Sequence, residues 1–352
     1  MTRLPVISTL FTSVHCRLSR AFFLAPCLSD VTWLATMALV ASFVALMLAV
    51  LPLPALAWNI PGHMLSAAIA YQVLQQENPP TIEKVKAVLE KHPWYANQWR
   101  ARLQDVSVVD HSLVLFMQAA RWADDIRSND KQQHHALWHY INWPFKPDGQ
   151  PASVQTREPE PVNILTAMAE NQRIVANGND PERKAVALAW LFHLMGDVHQ
   201  HLHTAQLFTT EYPQGERGGN EICVWVTEAG QAMDLHRFWD GVITTSSNLT
   251  RLRNEATALR DRQEFQRSQL TELAHTDFES WTKESFEIAT KIAYRNGGRI
   301  GTPKAVAMDC AMVAAAPVLP PRYVVSANQI ADRRVILAGY RLADLLIRLT
   351  QY

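Results

Sequence analysis

Apolar residues along this chain recur mostly at helical spacing, with polar residues on the opposite positions. The pattern predicts a mainly α-helical protein. Residues 64–76 read as a helix that runs into Pro79-Pro80. Thr81 is the expected cap of a second helix through Lys91, which Pro93 stops. Over residues 110–126 an apolar stripe (Leu113, Leu115, Phe116, Ala119, Ala120, Trp122, Ala123) predicts a helix ending on acidic side chains. Residues 144–161 are proline-rich with an Asp-Gly turn and read as loop. Residues 161–176 are predicted helical. Pro181 suits the first turn of a central helix to about His199.

Further on, residues 211–220 form a glycine-rich loop, and residues 221–227 alternate like a short strand, half of a hairpin. Helices are expected over residues 232–243 and 278–294, with irregular chain over 299–321. Ser326 is the expected cap of a terminal helix ending near Leu349, with Ile330, Leu337, Tyr340 and Leu345 or Leu346 inward. With no interdomain linker or internal repeat, the economical reading is one helical domain.

The first 57 residues stand apart. Arg3, Arg17 and Arg20 precede an uncharged run from Val31 to Ala57, which closes on prolines and Ala55-Leu56-Ala57. This is the pattern of a signal peptide cleaved after Ala57, and it implies a periplasmic or extracellular protein. The alternative is an uncleaved membrane anchor. Removing residues 1–57 takes away three Arg and one Asp, leaving 30 basic and 32 acidic side chains. That balance provides no basic field to hold a polyanion, so a phosphate substrate would need metals for its positive charge. Of the four cysteines, Cys223 and Cys310 remain after cleavage. Export permits their pairing, and spacing leaves it open.

The candidate chemistry centres on residues 192–203, which hold four histidines and one aspartate. His193 and Asp197 lie four apart, on one helical face. The same spacing recurs in His236 and Asp240, while Asp124, His139 and His63 lie elsewhere. With His203 these make eight imidazole and carboxylate candidates, too many for one tetrahedral zinc. They suggest two or three clustered metals, the usual machinery for attack on phosphate esters. Taken singly, each of these histidines is more simply read as a hydrogen-bonded core or surface residue. Cleavage after Ala57 would also make Trp58 the N-terminus, and a free α-amino group with pKa of about 7.7–8.0 can ligate together with its own carbonyl.

These segments resemble the zinc-dependent, single-strand-specific nucleases of fungi and plants (the S-one/P-one nuclease family), which share a helical fold with bacterial zinc-dependent phospholipase C. W-x-x-x-G-H matches residues 58–63, and W-A-D-x-x-R matches 122–127. H-aromatic-I matches 139–141, and H-x-x-G-D-x-H-Q-x-L-H matches 193–203. R-G-G-N matches 217–220, and L-H-x-x-W-D matches 235–240. AGYRLA at 338–343 is similar to the family's last helix.

The resemblance implies an all-α single domain of the phospholipase C/single-strand nuclease type over residues 58–352, with a short β-hairpin. It implies a zinc-dependent phosphodiesterase: an endonuclease on single-stranded DNA and RNA and a 3′-nucleotidase, leaving 5′-phosphates. Three zinc ions are expected. The first would take Asp124, His139, His193 and Asp197, and the second His203, His236 and Asp240. The third would take the Trp58 amine and carbonyl, His63 and the other oxygen of Asp197. Asp124 is preferred over its neighbour Asp125 as the first acid after W-A. An activated water would attack phosphorus in line with the departing 3′ oxygen, and Arg127 would bind a non-bridging oxygen. Tyr140 and Asn142 would lie near a base pocket, and Asn220 would contact a base or close a turn.

His201 stands where the family has proline, and Asn142 where fungal members have Asp. His199 and His201 are expected to sit behind the ligands or face solvent. The competing readings are phospholipase C on the same scaffold and a non-catalytic zinc-binding protein. A monomer without stable membrane association is expected.

Overall fold

The computed structural model describes residues 58–351 except 128, 129, 131, 307 and 314. The expected leader and its cleavage site lie outside the described residues.

Helix α1 (Ile60–Glu77) begins where the Asn59 side chain accepts the Gly62 N–H at 2.9 Å. Every residue from Gly62 to Leu74 is buried. A helix that is buried all round belongs in the interior. Around it pack α3 (His111–Asp125), α7 (Leu249–Arg260) and the long C-terminal α9 (Pro321–Leu349). The central α5 (Pro181–Asp197) packs on α3, on α4 (Ile164–Asn177) and on α2 (Pro79–Leu89). Asp180 starts α5 by accepting the Glu182 and Arg183 N–H groups, with Pro181 in the first turn. Edge-on ring pairs lock α3 to α5: Phe116 with Phe192 at 5.1 Å, and Trp122 with Trp190 at 5.8 Å. Such pairs contribute about 0.5–1.5 kcal/mol beyond the area they bury.

The fold is all-α with short strands, as expected. β1 (Trp143–Phe145) and β2 (Ala205–Leu207) pair in parallel. β3 (Ile222–Trp225) lies between β4 (Ala232–Asp234) and β5 (Thr302–Pro303), antiparallel to both. Cys223 and Cys310 are disulfide-bonded. α6 (Leu235–Gly241) follows β4 directly, and α8 (Phe278–Ile288) continues into a π-turn at Ala289–Ala293.

Several predicted boundaries move. Residues 232–234 are strand rather than helix, because Asp234 accepts the Arg237 N–H at 2.8 Å and starts α6 only there. Thr81 does not cap α2, which begins at Pro79, and its hydroxyl turns to Asn78 Oδ1 at 3.2 Å. Ser326 likewise lies inside α9, which opens at Pro321. In both cases a proline in the first turn supplies the pre-set φ, so no downstream cap is needed. Pro161 lies ahead of α4, which the Asn163–Thr166 capping box starts.

Candidate metal centre

α5 delivers His193 and Asp197 from one face, both fully buried. The last turn of α3 carries Asp124, a 3-10 turn (Ala136–His139) ends at His139, and the turn after α5 (His201–Thr204) carries His203. α6 brings His236 and Asp240, and the first turn of α1 brings His63. Three groups form in which the candidate ligand atoms all lie within 4.8 Å of one another: His63–His193–Asp197, Asp124–His139–His193, and His203–His236–Asp240. The first two share His193.

Asp197 stands at the junction. Its Oδ1 is 3.4 Å from His63 Nε2, while Oδ2 is 3.2 Å from His193 Nε2 and 3.0 Å from His139 Nδ1. In the third group His203 Nε2 lies 3.1 Å from His236 Nε2, which is 3.6 Å from Asp240 Oδ2. The His63 ring stacks on His193 at 3.9 Å. That contact needs Gly196, because a Cβ there would lie 2.5 Å from His63 Nδ1.

Backbone carbonyls fix most of the rings. His193 Nδ1 donates to Ala120 O at 2.8 Å, His203 Nδ1 to His139 O at 2.7 Å, and His236 Nδ1 to Gly218 O. Each bond turns Nε2 inward, the arrangement that orients metal-ligating histidines. Gln200 Nε2 donates to Asp240 Oδ1 at 2.7 Å, a positioning contact that sequence reasoning passed over although Gln200 stands inside the matched motif. Gly196, next to Asp197, was missed in the same way.

The site is unsatisfied by protein alone. Both His63 nitrogens, His139 Nε2, Asp197 Oδ1 and Asp240 Oδ2 are buried without a hydrogen-bond partner. Burial pushes the Asp197 carboxyl up to about 6 and Asp240 well above the usual range. Burial, then the neighbouring His193, holds His63 and His139 well below the ordinary histidine value. For His193 burial opposes protonation, but Asp197 and Asp124 outweigh it and raise the pKa. Neutral imidazoles beside costly buried carboxylates, with lone pairs converging, fit divalent cations.

The other candidates fall into place around this centre. Asp125 pairs with Arg121 at 2.7 Å, leaving Asp124 to face His193 at 3.6 Å. Arg127 Nη2 lies 2.6 Å from Asp124 Oδ1, and its Nε and Nη1 are buried without hydrogen-bond partners. Trp58 is buried beside Gly62, and the Asn59 N–H donates to Asp240 O at 3.1 Å. Tyr140 and Asn142 are half-buried, just after His139. Asn220 Nδ2 donates to Arg217 O at 2.7 Å, closing its loop.

Neither His199 nor His201 faces solvent; both are fully buried. His199 is held by Met195 O and Arg341, each at 2.8 Å, while His201 packs edge-on to Trp239 at 4.1 Å. They are packing residues because the chain after α5 turns inward under α9. Asn59, Ile60, Pro61, Asp124 and Asp240 border one cavity of about 790 Å³, whose remaining wall includes Met233, Phe238, Val242 and Val324.

Fold and site together define a class: helical proteins with three His/Asp groups that could each hold a metal ion. The S1/P1 Nuclease family model matches residues 58–351, and the chain belongs to that family. Endonuclease 3 of Arabidopsis thaliana is 30% identical over 202 residues, 53% of this chain and 58% of that protein. Endonuclease 4 of the same plant is 26% identical over 329 residues, 84% and 90% of the two chains. Nuclease S1 of Aspergillus oryzae is 26% identical over 132 residues, 37% and 42%. The match thus spans less than two thirds of two of these three relatives.

Proposed function

We propose that this chain is a zinc-dependent phosphodiesterase, an endonuclease on single-stranded DNA and RNA and a 3′-nucleotidase leaving 5′-phosphates. The observation that carries the reading is the set of three adjoining buried seats with unpartnered ligand atoms, flanked by Arg127. Family membership and relatives named as endonucleases support it.

Three zinc ions would be held as the resemblance implies: by Asp124, His139, His193 and Asp197; by His203, His236 and Asp240; and by His63, Asp197 and the Trp58 amine and carbonyl. Zinc there supplies Lewis-acid charge to a phosphate and acidifies water. Asp197 turns its two oxygens to two seats and keeps them in register. Arg127 directs buried, unused donors at a non-bridging oxygen as negative charge builds. Tyr140 stacks a base, which selects unpaired strands because pairing hides the base face. The Trp58 amine is freed by removal of residues 1–57 as a signal peptide, so the mature protein acts in the periplasm or outside the cell, as a monomer. The apolar wall of the 790 Å³ cavity favours a second reading, phospholipase C.

The test is purified mature protein offered single-stranded DNA, double-stranded DNA and phosphatidylcholine, before and after EDTA and zinc return. Cleavage of the single strand alone, lost with EDTA and regained with zinc, is the expected result. Cleavage of the lipid alone would transfer the protein to the second reading. A fully zinc-loaded protein inert on all three would remove both.

A further inference from the structure

We propose that Glu216 is the positioning residue of the His203–His236–Asp240 seat. The inference rests on the reading that this seat binds a metal ion.

Glu216 is fully buried, yet it belongs to none of the three candidate ligand groups. Its Oε1 accepts the Leu207 N–H at 3.0 Å and the Tyr294 hydroxyl at 2.6 Å, and its Oε2 accepts the Gly219 N–H. Two of these links lead to the seat. Leu207 ends β2, which continues directly from the turn that carries His203. Gly219 belongs to the loop beneath His236: Gly218 O accepts His236 Nδ1–H, and Gly219 O accepts the His236 backbone N–H at 3.3 Å. The loop lies close against both histidine segments. Gly218 and Gly219 hold φ of +63° and +87°, and a Cβ on Gly218 would sit 2.4 Å from Leu202 O. One carboxylate therefore ties the segment of one histidine to the support of the other. It also fixes the carbonyl that turns His236 Nε2 inward.

Three donors converge on Glu216, so its role depends on having acceptors at both oxygens. Glu216→Gln keeps the shape, but the amide satisfies either Gly219 or the Leu207–Tyr294 pair. A purely structural role would lower thermal stability and leave the seats alike. A positioning role weakens one seat selectively.

The experiment strips the full chain with chelator, titrates zinc back against a colorimetric chelator and counts ions per chain, with thermal unfolding alongside. For Glu216→Gln the expected result is one seat weakened about ten- to hundredfold with the others unchanged. In a His236→Ala background the same substitution should add nothing at that seat. A folded Glu216→Gln that binds like the unaltered protein, or loses affinity equally everywhere, overturns the proposal. If Glu216→Gln does not fold, Tyr294→Phe decides. It removes one hydrogen bond to the carboxylate, so a severalfold loss at the same seat supports the role and unchanged binding overturns it. An unaltered protein that binds ions but cleaves no nucleic acid defeats the proposed activity and leaves this measurement standing. An unaltered protein that binds none defeats both.

Discussion

Asp197 is buried with the imidazoles of His63, His139 and His193 within 3.4 Å, its two oxygens turned toward two candidate seats. Asp197→Asn removes its charge while keeping its shape. The expected outcome is loss of ions from both adjoining seats and a fall in phosphodiesterase activity of more than about hundredfold. Elemental analysis and single-strand hydrolysis read these two effects. His92, which is not one of the candidate ligands, makes a second prediction. It stacks on Trp99 at 4.3 Å, and its Nδ1 accepts the Trp94 N–H at 3.0 Å. Burial pushes its pKa down to about 3. The unfolded chain takes up this proton near pH 6.5 and the folded chain does not. Its share of stability is therefore intact above pH 6.5 and is lost as pH falls toward 3, about 2 kcal/mol by pH 5. Urea unfolding of His92→Phe at pH 7 and pH 5 should show that much less acid loss than the unaltered chain. At this scale the ligand types were legible, since His and Asp at paired helical spacing announce their chemistry. Which nitrogen faces inward was not, because Ala120 O, His139 O and Gly218 O make that choice from other segments.

Helices with dense apolar stripes, such as α3 and α5, stood out along the chain because burial on one face leaves a periodic trace. α7 did not, since only Leu252, Ala256 and Leu259 are buried on an otherwise largely polar helix. The pairing of β1 with β2 was also hidden. It depends on segments 62 residues apart meeting as Trp143 opposite Ala205. The β3–β4 hairpin was half visible, and its second strand was read as helix because Met233 and the start of α6 merge into one apolar pattern. This hairpin leads directly into α6 and its two candidate ligands, and the Cys223–Cys310 bond ties it to the 310–312 turn across 87 residues. Replacing both cysteines by alanine should cost about 2–4 kcal/mol. Thermal unfolding with and without reductant checks it: the unaltered protein should lose stability on reduction, and the double variant should not respond.

The candidate seats join segments from His63 to Asp240, so bound ions would cross-link most of the molecule. Chelation should therefore lower the melting temperature in steps, with about 4 kcal/mol lost per ion at a thousandfold excess over Kd. Calorimetry during zinc return follows it. The proposed Trp58 ligand gives a further expectation. A form verified to retain one extra residue ahead of Trp58 should carry one ion fewer and lose most of its activity, and native-rate cleavage by that form would exclude the amine. The two ends of the domain are not equivalent for handling. Asn59 is pinned to Asp240 O and, through Nδ2, to Thr244 O at 2.7 Å, whereas Thr350 meets Thr81 of α2 at 3.2 Å. A resin linker or fluorescent reporter joined directly ahead of Trp58 would emerge one residue from the hydrogen bond between Asn59 and the Asp240 backbone. Immobilised or labelled versions of this protein are best built from the carboxyl end.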